Sequence, residues 1–271
     1  GRNRFRMFLA DYHIHSEISF DSHAPMEEIV KKAIASGITH IAITDHFDPF
    51  QKDKDCISEY DPKKYFEELS RVRGLYGDKI DIAAGIEAGQ AQLYPENVKK
   101  MLDSHDYDFV IGSVHNVTGD IDLAFETYTM ANVSAWLSKY FLEAAEAAKT
   151  GLYDVFGHLN YICRYIAKQK IPVNVSDYED MAIIVLRQAV SLGKGIEINV
   201  SGMRDGGASL PGIELIKKYR ALGGEILTIG TDAHTPQNVG LCLEKGLELA
   251  RRAGFKYIAT FKERKPEFHK I

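Results

Sequence analysis

Near the start of the chain, DYHIHSEISFD places two histidines one residue apart, and towards its end GTDAH places an aspartate and a histidine at the same spacing. If both stretches are extended, a period of two sets His13 and His15 on one face of a strand, and Asp232 and His234 on one face of another. Each pair can then chelate one ion or bridge two. Between them, ITDH, GIE, SVH and FGH end in His46, Glu87, His115 and His158, and EINVS ends in Asn199 and Ser201. Imidazoles and carboxylates without thiolates suit Zn²⁺, Mn²⁺ or Fe²⁺ better than an all-oxygen Ca²⁺ site, and they outnumber the ligands one zinc takes. Two or three divalent ions are implied. Burying so many titratable groups together without a cation is costly.

These residues need a scaffold that gathers them. Short β-branched runs, each ending in a polar residue, alternate with amphipathic stretches that carry caps, which is the pattern of repeated βα units. FLADYHIH, ITHIAITDH, KIDIAAGIE, DFVIGSVH, YDVFGH, GIEINVS and EILTIGTDAH are the strand candidates. In PMEEIVKKAIASG, Pro25 suits a first turn, Met26, Ile29, Val30, Ala33 and Ile34 form one stripe, and Gly37 suits the stop. A second helix is expected from Asp61-Pro62 to about Tyr76, closed by Gly77, with further helices around 132–149, 177–192, 211–222 and 237–253. The tail KYIATFKERKP follows. Repeated right-handed βα units predict a seven-stranded α/β barrel, TIM-like, whose C-terminal strand ends converge on one mouth. No linker, low-complexity segment or repeat divides the chain, so residues 1–271 are expected to form a single barrel domain.

Composition narrows the chemistry further. Of 271 residues, 45% are hydrophobic, enough for one large core, and the net charge of -5 offers no basic stripe for long nucleic acid. No apolar run is long enough for a membrane span, and the basic start GRNRFRMFLAD lacks a signal-peptide core. Gly1 reads as a tag remnant and Met7 as a natural start. Cys56, Cys163 and Cys242 form no CxxC pair and are read as free thiols of a reducing cytoplasm. The sequence specifies no oligomeric state.

DGGASLPG (205–212) lacks the GxxxxGK[ST] spacing of a phosphate loop and reads as a flexible turn. Arg164 and Arg204 each follow a strand end closely, where a guanidinium fork suits phosphate. His23, His40, His105 and His269 read as ordinary hydrogen-bonded histidines, and Tyr161, Cys163 and Tyr165 as packing residues.

Taken together, DYHIH, ITDH, GIE, SVH, FGH and GTDAH, in this order along nearly the whole chain, resemble the polymerase and histidinol phosphatase (PHP) superfamily. The resemblance implies a distorted seven-stranded barrel with a trinuclear metal centre. Carried over by position, it gives His13, His15, Glu87 and Asp232 to one ion and lets Glu87 bridge to a second held by His115 and His158. Asp21, His46 and His234 then hold the third, with Asp21 standing where relatives often carry a histidine. HLNYICRY (158–165) and EINVSGMR (197–204) are similar to the histidinol-phosphatase branch, although Asn160 departs from its usual aspartate. That likeness implies hydrolysis of L-histidinol phosphate, with Arg164 and Arg204 as substrate contacts. His234, Asp232 and Arg164 are the catalytic candidates, His234 as a group that stabilises the leaving alkoxide. The competing expectations are a PHP phosphoesterase for a nucleotide, an oligonucleotide end or a phosphotyrosyl protein, and a noncatalytic metal-stabilised scaffold.

Overall fold

A parallel sheet needs both faces covered, and this chain supplies the cover by sending a crossover between consecutive strands. The computed structural model describes residues 7–52, 55–57 and 59–271, so the expectations for residues 1–6 lie outside the described residues. Seven parallel strands follow one another in chain order: β1 (Ala10–Ile14), β2 (His40–Phe47), β3 (Asp81–Gly89), β4 (Phe109–Ser113), β5 (Val155–Phe156), β6 (Gly195–Asn199) and β7 (Leu227–Gly230). The seven expected strands are these seven.

The sheet curls until its edges almost meet. His15 N donates to Ala233 O at 2.8 Å and Asp232 N donates to His13 O at 2.8 Å, while Ile14 and Ala233 form a single parallel bridge. Gly230 permits this approach, because a Cβ there would lie 2.3 Å from the Cβ of His13. The barrel is therefore nearly closed, with His13, His15 and Asp232 at its seam.

Among the described residues, eight helices accompany the strands: α1 (Met26–Ala35), α2 (Pro62–Tyr76), α3 (Pro95–Ser104), α4 (Val133–Lys149), α5 (Tyr161–Lys168), α6 (Glu179–Ser191), α7 (Ile213–Ala221) and α8 (Leu243–Arg252). The α1 stripe buries Met26, Ile29, Val30 and Ala33. Each large side chain there contributes roughly 1.5–3 kcal/mol by leaving water. Asp61 caps α2 by accepting from Lys63 N and Lys64 N at 3.0 and 3.3 Å. Pro62 opens its first turn.

Two helices were not expected from the sequence. In α3 only Val98 and Leu102 are buried, too sparse a stripe to stand out, and α5 has eight residues behind left-handed Asn160. The stretch before α8 is instead a 3₁₀ turn at Pro236–Asn238, which starts the helix later than its pattern suggested. DGGASLPG is not a free turn, because Leu210 exchanges two 2.9 Å backbone hydrogen bonds with Asn199.

The tail forms an antiparallel hairpin, β8 (Tyr257–Lys262) and β9 (Lys265–Lys270), across the end of the barrel opposite the mouth. Tyr12 Oη accepts from Phe261 N at 3.0 Å, and Phe261 packs on Phe109 with ring centroids 5.0 Å apart. Buried apolar residues run continuously from Ala10 to Phe261. No helix among the described residues is long and apolar enough to cross a membrane. Cys163 and Cys242 are free, and the side chain of Cys56 lies outside the described residues.

Candidate metal centre

Each strand delivers its terminal polar residue to the mouth because apolar neighbours hold the strand on both sides. Ile41, Ala42 and Ile43 precede His46, Ile86 precedes Glu87, and Val110 and Ile111 precede His115, all buried. After β7 the chain turns at Asp232, whose φ of 57° is uncommon for aspartate, and after β5 it turns at His158, with φ 24°. Both strained residues are on the ligand list drawn from sequence.

Three convergences of ligand atoms result. Around the seam, His13 Nε2 lies 3.0 Å from Glu87 Oε1 and 3.3 Å from Asp232 Oδ1, and His15 Nε2 lies 3.0 Å from Asp232 Oδ1 and 3.3 Å from Glu87 Oε1. The other Glu87 oxygen, Oε2, lies 2.9 Å from His158 Nε2 and 3.2 Å from His115 Nε2. Those two imidazole nitrogens are themselves 3.4 Å apart. Nearer solvent, Asp21 Oδ2 lies 3.0 Å from His234 Nε2 and 3.3 Å from His46 Nε2. The structure thus brings together all nine residues of the expected ligand list. It also places His15 within reach of the Asp21 group and His46 within reach of Glu87 and His115.

The electrostatics are those of buried carboxylates and imidazoles set against one another. Burial alone would raise Glu87, but His13, His115 and His46 outweigh it and hold the carboxyl well below its usual range. Burial likewise opposes, and His13, His15 and His234 reverse, the shift of Asp232. In return His13 is held well above its ordinary value against burial by Asp232, Glu197 and Glu87. His115 is pushed up to about 10 in the same way by Asp48 and Glu87. His158 moves down, because burial and the nearby His115 and Arg164 outweigh Glu87.

The donor set fits a divalent ion of the zinc, iron or manganese type. Nitrogen and carboxylate oxygen atoms 2.9–3.4 Å apart match, at roughly 3.3 Å, the edge of a tetrahedron with ligand bonds of roughly 2.0 Å. The ring nitrogens facing away are mostly held. His13 Nδ1 meets Glu197 Oε2 at 2.5 Å, His15 Nδ1 meets Ser19 Oγ at 3.1 Å, His115 Nδ1 meets Asp48 Oδ1 at 2.6 Å and His234 Nδ1 meets Asp232 O at 2.8 Å. Only Nε2 of each is then left for an ion, the arrangement by which proteins orient metal-binding imidazoles. His158 Nδ1 is buried without a hydrogen-bond partner among the described residues.

Glu197, Asp48, Ser19 and Asp45 are functional candidates that sequence reading missed. Glu197 also accepts His158 N at 3.0 Å and Asn199 Nδ2 at 3.2 Å, and Asp45 accepts Ser19 Oγ at 2.7 Å. Glu197 carried a readable signal, a charge inside an apolar strand and in phase with Asn199.

Outside the candidate ligands, Arg164 and Arg204 behave differently. Arg164, on α5, donates to Ser201 Oγ at 3.0 Å, lies 3.6 Å from Asp232 Oδ2 and stands 5.4 Å from the Tyr161 ring centre, lining the cavity. Arg204 donates to Thr231 O at 2.6 Å and does not line that cavity, so it braces the backbone just before Asp232. The cavity itself has a volume of about 500 Å³. Seven of the nine candidate ligands line it with Arg164, all but His13 and His15, and Phe20, Phe125 and Tyr165 with Glu59 and Asp122 complete its wall.

Known proteins share both sequence and shape with this chain. The model of the PHP domain family matches residues 11–201. A histidinol-phosphatase of Lactococcus lactis is 31% identical over 254 residues, covering 93% of each chain. The crystal structure of histidinol phosphate phosphatase from the same organism, complexed with Zn, L-histidinol and phosphate, superposes with a TM-score of 0.79 at 29% identity, covering 95% of this chain and 98% of that one. A structure from Listeria monocytogenes, at 19% identity and a TM-score of 0.72 over 88% of this chain and 99% of that one, shares the fold.

Proposed function

The chain belongs to the PHP domain family, and from that premise we propose that it is a metal-dependent phosphomonoesterase that hydrolyses L-histidinol phosphate to L-histidinol and inorganic phosphate. One observation carries the reading. Three convergences of imidazole and carboxylate atoms and one guanidinium share a cavity of about 500 Å³, the size of a small-molecule site.

His13, His15, Glu87 and Asp232 would hold one ion, Glu87, His115 and His158 a second, and Asp21, His46 and His234 a third. Divalent ions in such sites supply charge for phosphoryl oxygens and bring a water to the acidity of a neutral-pH nucleophile. Zinc, iron and manganese all suit the donors. Glu87 would reach the first two ion sites with separate oxygens, Oε1 towards His13 and Oε2 towards His158. Arg164 meets the charge that spreads over the phosphoryl oxygens, and Ser201, Asp232 and Tyr161 hold its guanidinium at the cavity wall. His234 already directs Nε2 at Asp21, so we assign it to holding an ion and not to protonating the leaving alkoxide.

Asp122, Glu59 and the exposed ring of Phe125 give the outer wall groups that suit the ammonium and imidazole of histidinol. A single barrel domain working in the cytoplasm completes the reading. Phosphate release from L-histidinol phosphate, measured beside nucleotide monophosphates, an end-phosphorylated oligonucleotide and a phosphotyrosyl peptide, tests it. Histidinol phosphate should be preferred in kcat/KM by about 10²-fold or more. Equal or faster turnover of another substrate would replace the assignment, and a protein that binds zinc yet turns over none of them would leave a scaffold.

A further inference from the structure

Resting on that metal-centre reading, we propose that Asp48 is a positioning residue that holds one histidine of each of two ion sites, and that its two oxygens do different work. Asp48 lies two residues beyond His46, just past the end of β2. Its Oδ1 meets His115 Nδ1 at 2.6 Å, and its Oδ2 lies 2.8 Å from His46 Nδ1. The second approach is bent. Among the described residues, neither His46 Nδ1 nor Asp48 Oδ2 has a hydrogen-bond partner elsewhere, and the next carboxylate oxygen to that nitrogen is Glu87 Oε1 at 3.4 Å. One carboxylate thus spans His115, which faces His158 and Glu87, and His46, which faces Asp21.

Two neighbours fix which oxygen serves which histidine. Gln90 accepts through Oε1 from the backbone of His115 at 2.9 Å and of Asn116 at 3.3 Å, so its amide cannot turn over, and its Nε2 donates to Asp48 Oδ1 at 3.0 Å. The Oδ1 position therefore receives two donors and must remain oxygen. Gly89 leaves the room for this, because a Cβ there would come within 2.3 Å of Asp48 Oδ1 and 3.3 Å of His115 Nδ1.

A directional consequence follows for Asp48→Asn. The amide keeps its oxygen towards Gln90 and His115 and turns its NH₂ towards His46 Nδ1. That nitrogen must then accept, which moves the ring hydrogen to Nε2, the atom that faces Asp21. A protonated Nε2 cannot ligate. Asp48→Asn should accordingly weaken the ion shared by Asp21, His46 and His234 while sparing the one beside His115.

Zinc binding to the full chain, followed by equilibrium dialysis with elemental analysis, reads this without any turnover. For Asp48→Asn we expect one zinc weakened by about 10–100-fold and the others unchanged. In a His46→Ala background the same substitution should change no remaining site, whereas in a His115→Ala background it should still weaken one. Nitrogen-15 spectra of the imidazoles should move the His46 hydrogen from Nδ1 to Nε2. Unchanged affinity at every site together with an unmoved His46 hydrogen overturns the positioning role, as does equal loss at both sites. A parent protein that takes up no zinc overturns the metal-centre reading as well, so the two failures are distinguishable.

Discussion

The two ends of the barrel use the same residue types to opposite ends. At the closed end, Asp108 Oδ2 accepts from Ala84 N at 2.9 Å and Arg73 Nη2 at 3.0 Å, and its Oδ1 accepts from Glu263 N at 3.0 Å. Asp154 Oδ2 accepts from Val110 N at 2.9 Å and Arg264 Nε at 2.7 Å. Those carboxylates are matched by backbone donors and guanidinium groups that belong to the chain. At the mouth, Glu87 and Asp232 face chiefly imidazoles, which can balance a carboxylate only by taking up protons. Apart from His158, which burial lowers, the shifted histidines register the same contrast. Burial lowers His40 and His269 at the closed end, while carboxylates raise His13 and His115 at the mouth. Charge satisfied from within stabilises a fold; charge left for protons to balance is a site prepared for something else.

Breaking the mouth should give the largest effect. Asp232→Ala removes an oxygen shared by His13 and His15, and turnover should fall by about 10³-fold or more with loss of bound metal, since it strips ion binding itself. Circular dichroism should show the barrel retained. Arg164→Ala sharpens the same comparison, because that guanidinium lines the cavity without belonging to the ligand set. It should keep its metal content and lose about 10²-fold in kcat, and an unchanged kcat/KM would remove it from the site.

The closed end should break differently. Asp108→Ala leaves the Ala84 and Glu263 amides without their acceptor and takes the carboxylate from Arg73, which keeps only Ile82 O, costing roughly 2–3 kcal/mol in denaturant unfolding. Metal content and kcat per folded molecule should stay within about twofold of the parent. A drop in turnover beyond that would show that the two ends are not separable.

How far the sequence revealed this division depends on what each residue announces. A strand that ends in a polar residue after an apolar run announces itself, and so all seven strands and the residues His13, His15, His46, Glu87, His115, His158, Asp232 and His234 were legible from period and position. Asp21 lies in a loop with no period, and only the resemblance pointed to it. Asp48 and Asp45 sit beside His46 in sequence, but nothing local says which histidine each will meet, because that is decided by β3 and β4 packing alongside. Arg204 looked equivalent to Arg164 by distance from its strand, yet the 3₁₀ turn at Ser201–Asp205 aims it at Thr231 O. The closed end was the least legible, since the hairpin β8–β9 has local pairing but takes its place from Tyr12 and Asp108, some 150 residues or more away in sequence.

The smallest expected effect is in how pH acts on the two ends, and it separates them by sign. His115 is held up to about 10 in the metal-free protein, so its contribution to stability is present in full below its ordinary value of about 6.5 and is lost as pH rises through about 10. His40 and His269 are held down, so the folded state binds fewer protons than the unfolded chain, and their contribution is lost as pH falls below about 6.5. Zinc should erase the first dependence, because a ligating imidazole has already given up its proton, and leave the second untouched. Melting curves from about pH 5 to about pH 10, with chelator and with zinc, should therefore differ in slope: above about 6.5 only the chelated protein should lose Tm with rising pH, and below it the zinc-bound protein should lose more as protons compete for the ligating imidazoles. Calorimetry of zinc binding near neutrality should register proton release to the buffer. Parallel curves at every pH, with no proton released, would mean that the mouth balances its carboxylates without protonated imidazoles, and the contrast between the two ends would then rest on geometry alone.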